Sequence, residues 1–149
     1  MRRTLRILFR IALFLAVVRG VAALVAKALE GSSDPDDDDF TLAAILDGRH
    51  AKSGSTELRR VTLASYAGGI DLDLSGATLA SGGAHVDANI VGGGVRIAVP
   101  NNWRVYAVDD TVGGGVEIDT LDPDDLPDGS PTLTVAARVR GGGLLIQRA

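Results

Sequence analysis

The chain has 149 residues, with 19 glycines, few aromatics and no cysteine. That is enough for one compact domain and a short appendage, and it excludes a disulfide scaffold, a thiolate zinc site and a cysteine nucleophile. The net charge of −4 divides unevenly: residues 1–30 carry six Lys/Arg against one Glu, leaving nine against eighteen Asp/Glu for residues 31–149. An acidic body is repelled by phosphates, which disfavours nucleic acid, and no nucleic-acid partner is expected.

The basic head, residues 1–30, contains an apolar run from Ile11 to Leu29 interrupted by Arg19 and Lys27. A helix of that length spans a hydrocarbon core. Its Leu, Ile, Phe and Val residues favour insertion by roughly 3 to 6 kcal/mol, against a cost of about 3 for Arg19. Arg2, Arg3, Arg6 and Arg10 precede the run and acidic residues follow it. The positive-inside bias then leaves the N-terminus in the cytoplasm and the body outside. The expectation is one retained transmembrane helix over 11–29. A cleaved signal peptide, with Ala26-Lys27-Ala28 as its site, and an interfacial helix are the other two readings.

Residues 31–39, Gly-Ser-Ser-Asp-Pro-Asp-Asp-Asp-Asp, carry no large apolar side chain. They read as a solvated acidic linker, not as a calcium loop, because no ligand spacing fits.

From Phe40 to the end one pattern recurs: an alternating stretch, a glycine, and a second alternating stretch. The glycines at 48, 69, 93, 114 and 142 are 21, 24, 21 and 28 residues apart. A period in the twenties means stacked units, none large enough to bury its apolar face alone. Alternation of period two makes each half a strand; in Ile70-Asp-Leu-Asp-Leu74 the aliphatics share one face and both Asp the other. The body, 40–149, is therefore expected to be all-β, a stack of short strands with Gly-rich corners. It winds as a parallel solenoid or folds as a two-sheet sandwich, and the solenoid is the expectation. Variation between copies falls in loops 75–84, 100–103 and 119–131.

Two segments carry a resemblance: Tyr66-Ala-Gly-Gly-Ile-Asp-Leu-Asp-Leu-Ser-Gly-Ala-Thr-Leu79 and Ile90-Val-Gly-Gly-Gly-Val-Arg-Ile-Ala-Val-Pro-Asn-Asn-Trp-Arg-Val105. They resemble the C-terminal domain of LiaF-type cell wall-active antibiotics response proteins, one of the Toastrack class of β domains, over roughly residues 40–149. The resemblance implies a Toastrack-type stack and a role in the bacterial envelope stress response. It also implies a protein partner such as a sensor kinase or another envelope-stress component. The chain departs from LiaF in having one candidate span instead of several. No site residue is implied, since the matched positions are structural glycines and core aliphatics.

Chemistry-bearing residues are sparse. His50 and His85 fall at unrelated places in their copies. Ser53, Ser55, Ser65, Ser75, Ser81 and Ser130 lie in turns or alternating strands without a nucleophile-elbow motif. Asp71 and Asp73 share a strand face but no sugar groove is indicated. Asp122, Asp124, Asp125 and Asp128 lack calcium-loop spacing, the glycine clusters precede no helix, and Trp103 reads as a core plug. No catalytic, metal or cofactor site is expected. The function expected is that of a non-catalytic, membrane-anchored domain acting through protein contacts, with self-association as one form of contact. The alternative is a secreted or anchored binding module for a cell-wall or lipid ligand, using loops 75–84 and 119–131.

Overall fold

The computed structural model describes residues 33–149 and, ahead of them, residues 15, 16 and 19, which are helical. The expected span over 11–29 and the signal-peptide site lie otherwise outside the described residues. Among the described residues no helix is long and apolar enough to cross a membrane.

The body is all-β. Its strands are β1 (Asp39–Ile45), β2 (Gly48–Lys52), β3 (Arg60–Tyr66), β4 (Gly69–Asp73), β5 (Ala84–Val99), β6 (Arg104–Asp119) and β7 (Thr132–Arg148). Every strand pairing is parallel. Each copy has two limbs. They are separate strands in the first two copies (β1 with β2, β3 with β4) and one bent strand in β5, β6 and β7.

The stacking order is not the chain order. β3 lies on β1, β5 on β3 and β7 on β5, while β6 pairs with β7 alone. The last copy is thus inserted between the third and the fourth. The cause is visible in the side chains at one register position. Leu42, Leu63, Ala88 and Ala137 fill it in the other copies and all are buried, whereas β6 places Asp109 there. The next inward position holds Ala44, Ser65, Ile90 and Val139, but Thr111 in β6. A carboxylate between two coils would be buried without a partner, at a cost of several kcal/mol. At the end of the stack it stays in water.

The core runs down the middle of the stack. Phe40, Val61, Val86, Val135 and the column Ile70, Val95, Leu144 are buried, and Leu58, Leu79 and Trp103 close the third side. Trp103 is a core residue, as its place after the Pro100 turn suggests.

The corner requires two special columns. The first is left-handed in every copy: Leu46 (φ 53°), Ala67 (φ 50°), Gly92, Gly141 and Gly113. Where the residue is not glycine, this conformation costs roughly 1–2 kcal/mol. Ala67→Gly is therefore expected to raise the thermal midpoint of the body by a few degrees, after some of the gain is lost to unfolded-chain entropy. A melt followed by circular dichroism checks this; no rise would mean that the strain is relieved elsewhere.

The second column is Asp47, Gly68, Gly93, Gly142 and Gly114 in stack order. A Cβ on Gly93 would lie 2.2 Å from the Gly68 carbonyl oxygen, and one on Gly142 would lie 2.0 Å from that of Gly93. Here coils approach too closely for any side chain. The paired glycines of the neighbouring column are 48, 69, 94, 143 and 115. The repeat read from the sequence is thus displaced by one residue in its last three copies.

Of the expected linker 31–39, residues 33–39 are described, and they are not a free spacer. Asp39 opens β1, and the described residues before it are bonded to the body. Ser33 Oγ accepts from Thr41 N (2.9 Å), Asp36 Oδ1 from Gly54 N (2.6 Å), and Asp38 Oδ1 from Ser55 Oγ (3.1 Å). The Asp38 carbonyl accepts from the Arg59 and Arg60 amides. Among the described residues no earlier coil supplies acceptors at this end, and the acidic stretch supplies them.

Candidate functional site

The two ends of the stack differ. At the first-copy end, Ser33 bonds both polar backbone groups of Thr41, its own N–H donating to the Thr41 carbonyl at 3.3 Å. This covers part of the free edge of β1. At the other end, β6 presents sixteen residues paired on one side only. An unpaired edge of that length is a template for another strand.

The side chains along β6 make the edge more than bare backbone. Val108 is 71% exposed and Val112 61%, and Tyr106 and Ile118 are also exposed. Ile118 stands in register with Ile97 and Ile146, which are fully buried. It is a core side chain with no coil above it. Four carboxylates accompany these apolar groups. Asp110 accepts from Arg140 at 2.8 Å, and this guanidinium holds the Asp110 carboxyl below its ordinary value. Asp119 lies 3.8 Å from Arg148. Asp109 and Glu117 have no ion-pair partner among the described residues.

Beside β6 lies the loop 120–131. Arg104 Nη2 donates to the carbonyls of Leu126 (3.0 Å) and Pro127 (2.9 Å) and so ties the loop to the start of the strand. Asp122 caps the short 3-10 turn Pro123–Asp125 by accepting from Asp124 N. Asp128 Oδ1 lies 3.9 Å from Arg104, and among the described residues no three His, Asp or Glu gather as a metal site.

A groove of about 740 Å³ crosses all five copies on the outer face of the second limb. The column Gly48, Gly69, Gly94, Gly143 and Gly115 lies along it, with His50, Asp71, Arg96, Leu145 and Glu117 beside it. Asp71 lies 3.4 Å from His50 Nδ1 and 3.8 Å from Arg96. Asp73, the other carboxylate of β4, sits 3.5 Å from Lys52. Hydrogen bonds from Ser75, chiefly, hold the Asp73 carboxyl below its ordinary value. Each carboxylate is thus engaged in a cross-strand ion pair, not paired with the other. His85 is on the first limb of β5 and His50 on the second limb of the first copy, so no dyad forms. Ser65, buried, donates to the Gly68 carbonyl and serves the corner.

Comparison with protein-family models, curated proteins and solved structures gives no match. The arrangement offers a strand acceptor at β6 and an open groove, and among the described residues no nucleophile is held by a base. Sequence reasoning singled out neither. The signal for β6 was present in Val108-Asp109-Asp110, where the alternation puts a carboxylate in the core column.

Proposed function

We propose that this chain is a membrane-anchored, non-catalytic β domain that acts through protein contacts in the bacterial envelope. One observation carries the reading: a sixteen-residue strand with an open edge and exposed Val108, Val112 and Ile118. A domain left without a use for such an edge would be an aggregation hazard. The LiaF-type resemblance of residues 66–79 and 90–105 supports a role in sensing or regulating envelope stress, with a sensor kinase or another stress component as partner. The body then corresponds to a Toastrack-type solenoid with its last two coils exchanged. The apolar run 11–29 crosses the membrane once, with the N-terminus in the cytoplasm and the β body outside.

The test places a photo-crosslinking residue at Val108, or at Thr62 in the middle of the sheet as control, in cells given a cell-wall antibiotic. An adduct to a second envelope protein from position 108 and none from 62 is the expected result. A clean position 108 under stress removes the ground for the docking reading. Anchoring is tested separately with a C-terminal reporter and sizing of the mature chain. A shortened product in the soluble fraction would replace the anchor with a cleaved signal.

A second reading, a module for an extended ligand, is favoured by the groove. A Cβ on Gly48, Gly94 or Gly115 would meet nothing within 4 Å, so contacts within the fold do not require glycine there. Gly94→Trp should fill the groove and leave the fold intact. Retention of a wall or lipid fraction by the parent chain and its loss in this variant would select this reading over docking at β6.

A further inference from the structure

The stack has a construction rule, and it states what can be added to β6. In the close-approach column every Cβ direction points to the coil below. Gly68 faces the Asp47 carbonyl at 2.6 Å, Gly93 that of Gly68, Gly142 that of Gly93, and Gly114 that of Gly142 at 2.0 Å. A parallel strand laid in register on the free edge of β6 must therefore carry glycine where it meets Gly114.

A second copy of this chain fails that condition. Its first coil would bring Asp47, the one residue of the column with a side chain, onto the Gly114 carbonyl. The same register would set Leu42 on Asp109 and bury an unpaired carboxylate. A slip of one residue would turn the core face of β1 outward. Charge gives the complementary half of the rule. Arg140 and Arg148 of β7 already pair with Asp110 and Asp119, so among the described residues the carboxylates still to be met are Asp109 and Glu117. Arg104, the only cation in β6, is turned to the 120–131 loop.

We infer that β6 takes a cationic, extended strand of another protein, parallel and in register, with glycine at the corner, and that Asp47 and Asp109 bar a second copy of this chain from the same edge. This rests on the docking reading above and adds the chemistry of the partner. The partner needs Lys or Arg opposite Asp109 and Glu117, and small or apolar residues opposite Ala107, Val116 and Ile118.

The test uses the full chain in detergent solution and fluorescent peptides built on residues 132–148, the strand that pairs with β6 from within. One peptide carries Ala137→Lys and Leu145→Lys, the positions that meet Asp109 and Glu117. The other carries these and Gly142→Val. The first should bind, and more weakly as salt rises. The second should bind at least about tenfold more weakly, and Asp109→Asn in the protein should weaken the first by about tenfold. The parent chain should sediment as single copies in its micelle.

Equal binding of both peptides, or self-stacking of the parent chain through β6, would overturn the inference and leave docking at β6 standing. Binding of neither peptide would show that the edge takes no strand, and the docking reading would fall with it. Because the decisive comparison varies the peptide, it does not depend on the folding of any protein variant.

Discussion

Gly93→Ala is expected to lower the thermal midpoint of the β body by about 10 °C or more, whereas Gly94→Ala, one residue on, raises it slightly. The added Cβ at 93 meets the Gly68 carbonyl oxygen at 2.2 Å, Ser65 Oγ at 2.9 Å and the Gly68 amide nitrogen at 3.0 Å. Two of these are backbone and cannot swing aside. Ser65 Oγ is itself committed to the Gly68 carbonyl at 2.9 Å. Relief requires neighbouring coils to separate, which breaks ladder bonds on both sides of the corner. Overpacking of this kind costs about 3 kcal/mol or more, and each kcal/mol moves the midpoint of a body this size by roughly 3–5 °C. At position 94 nothing lies within 4 Å of the added methyl, and the backbone is not left-handed. Only the entropic penalty of glycine is removed, worth about 0.5 kcal/mol or a little more. Melts of both variants under one condition decide it. Equal effects would mean that the two glycine columns have been assigned the wrong way round.

That pair of residues also marks the limit of what the sequence carries. Alternation and glycine spacing are local, and they suffice to define strands, corners and stacked copies. Which glycine of Gly92-Gly93-Gly94 aligns with Gly69 is not local. It depends on which Cβ direction runs along the stack, and three identical residues conceal it. The acidic run Asp34–Asp39 shows the same limit from another side. Composition reports that such a run cannot build a core, and that is true of it. It does not report that the first coil of a stack lacks a coil beneath it and needs acceptors, which Asp36 and Asp38 provide. The interaction edge was legible in part. Asp109 stands where the other copies have Leu or Ala, and a carboxylate at an inward position is the mark of a terminal coil. Reading it so requires the register, which only the paired strands supply.

The exchange of the last two copies leads to two deletions with opposite outcomes. Removing residues 132–149 takes out β7, the strand between β5 and β6. Leu133, Val135, Val139, Leu144 and Ile146 leave the core with it, and all are buried. At roughly 1.5–3 kcal/mol for each large aliphatic, the loss rivals the whole stability of an ordinary domain, about 5–15 kcal/mol. β6 loses the one strand it pairs with. Full loss of amide protection in 104–119 is expected, with a collapsed or abolished melt. Removing residues 104–131 should do far less, although it removes more chain. Arg104 and Thr132 occupy the same register position, so the Pro100–Trp103 turn can deliver the chain directly into β7. The turn now has to climb past β7 to reach β6, and after the deletion it climbs one coil less. The result should be a four-copy body in chain order, with β7 protected in hydrogen exchange. Had the copies stacked in chain order, the C-terminal deletion would trim an outer coil and the internal one would remove a middle one. Survival of the first variant and failure of the second would therefore reject the stacking order, and with it the placement of β6 as the open edge.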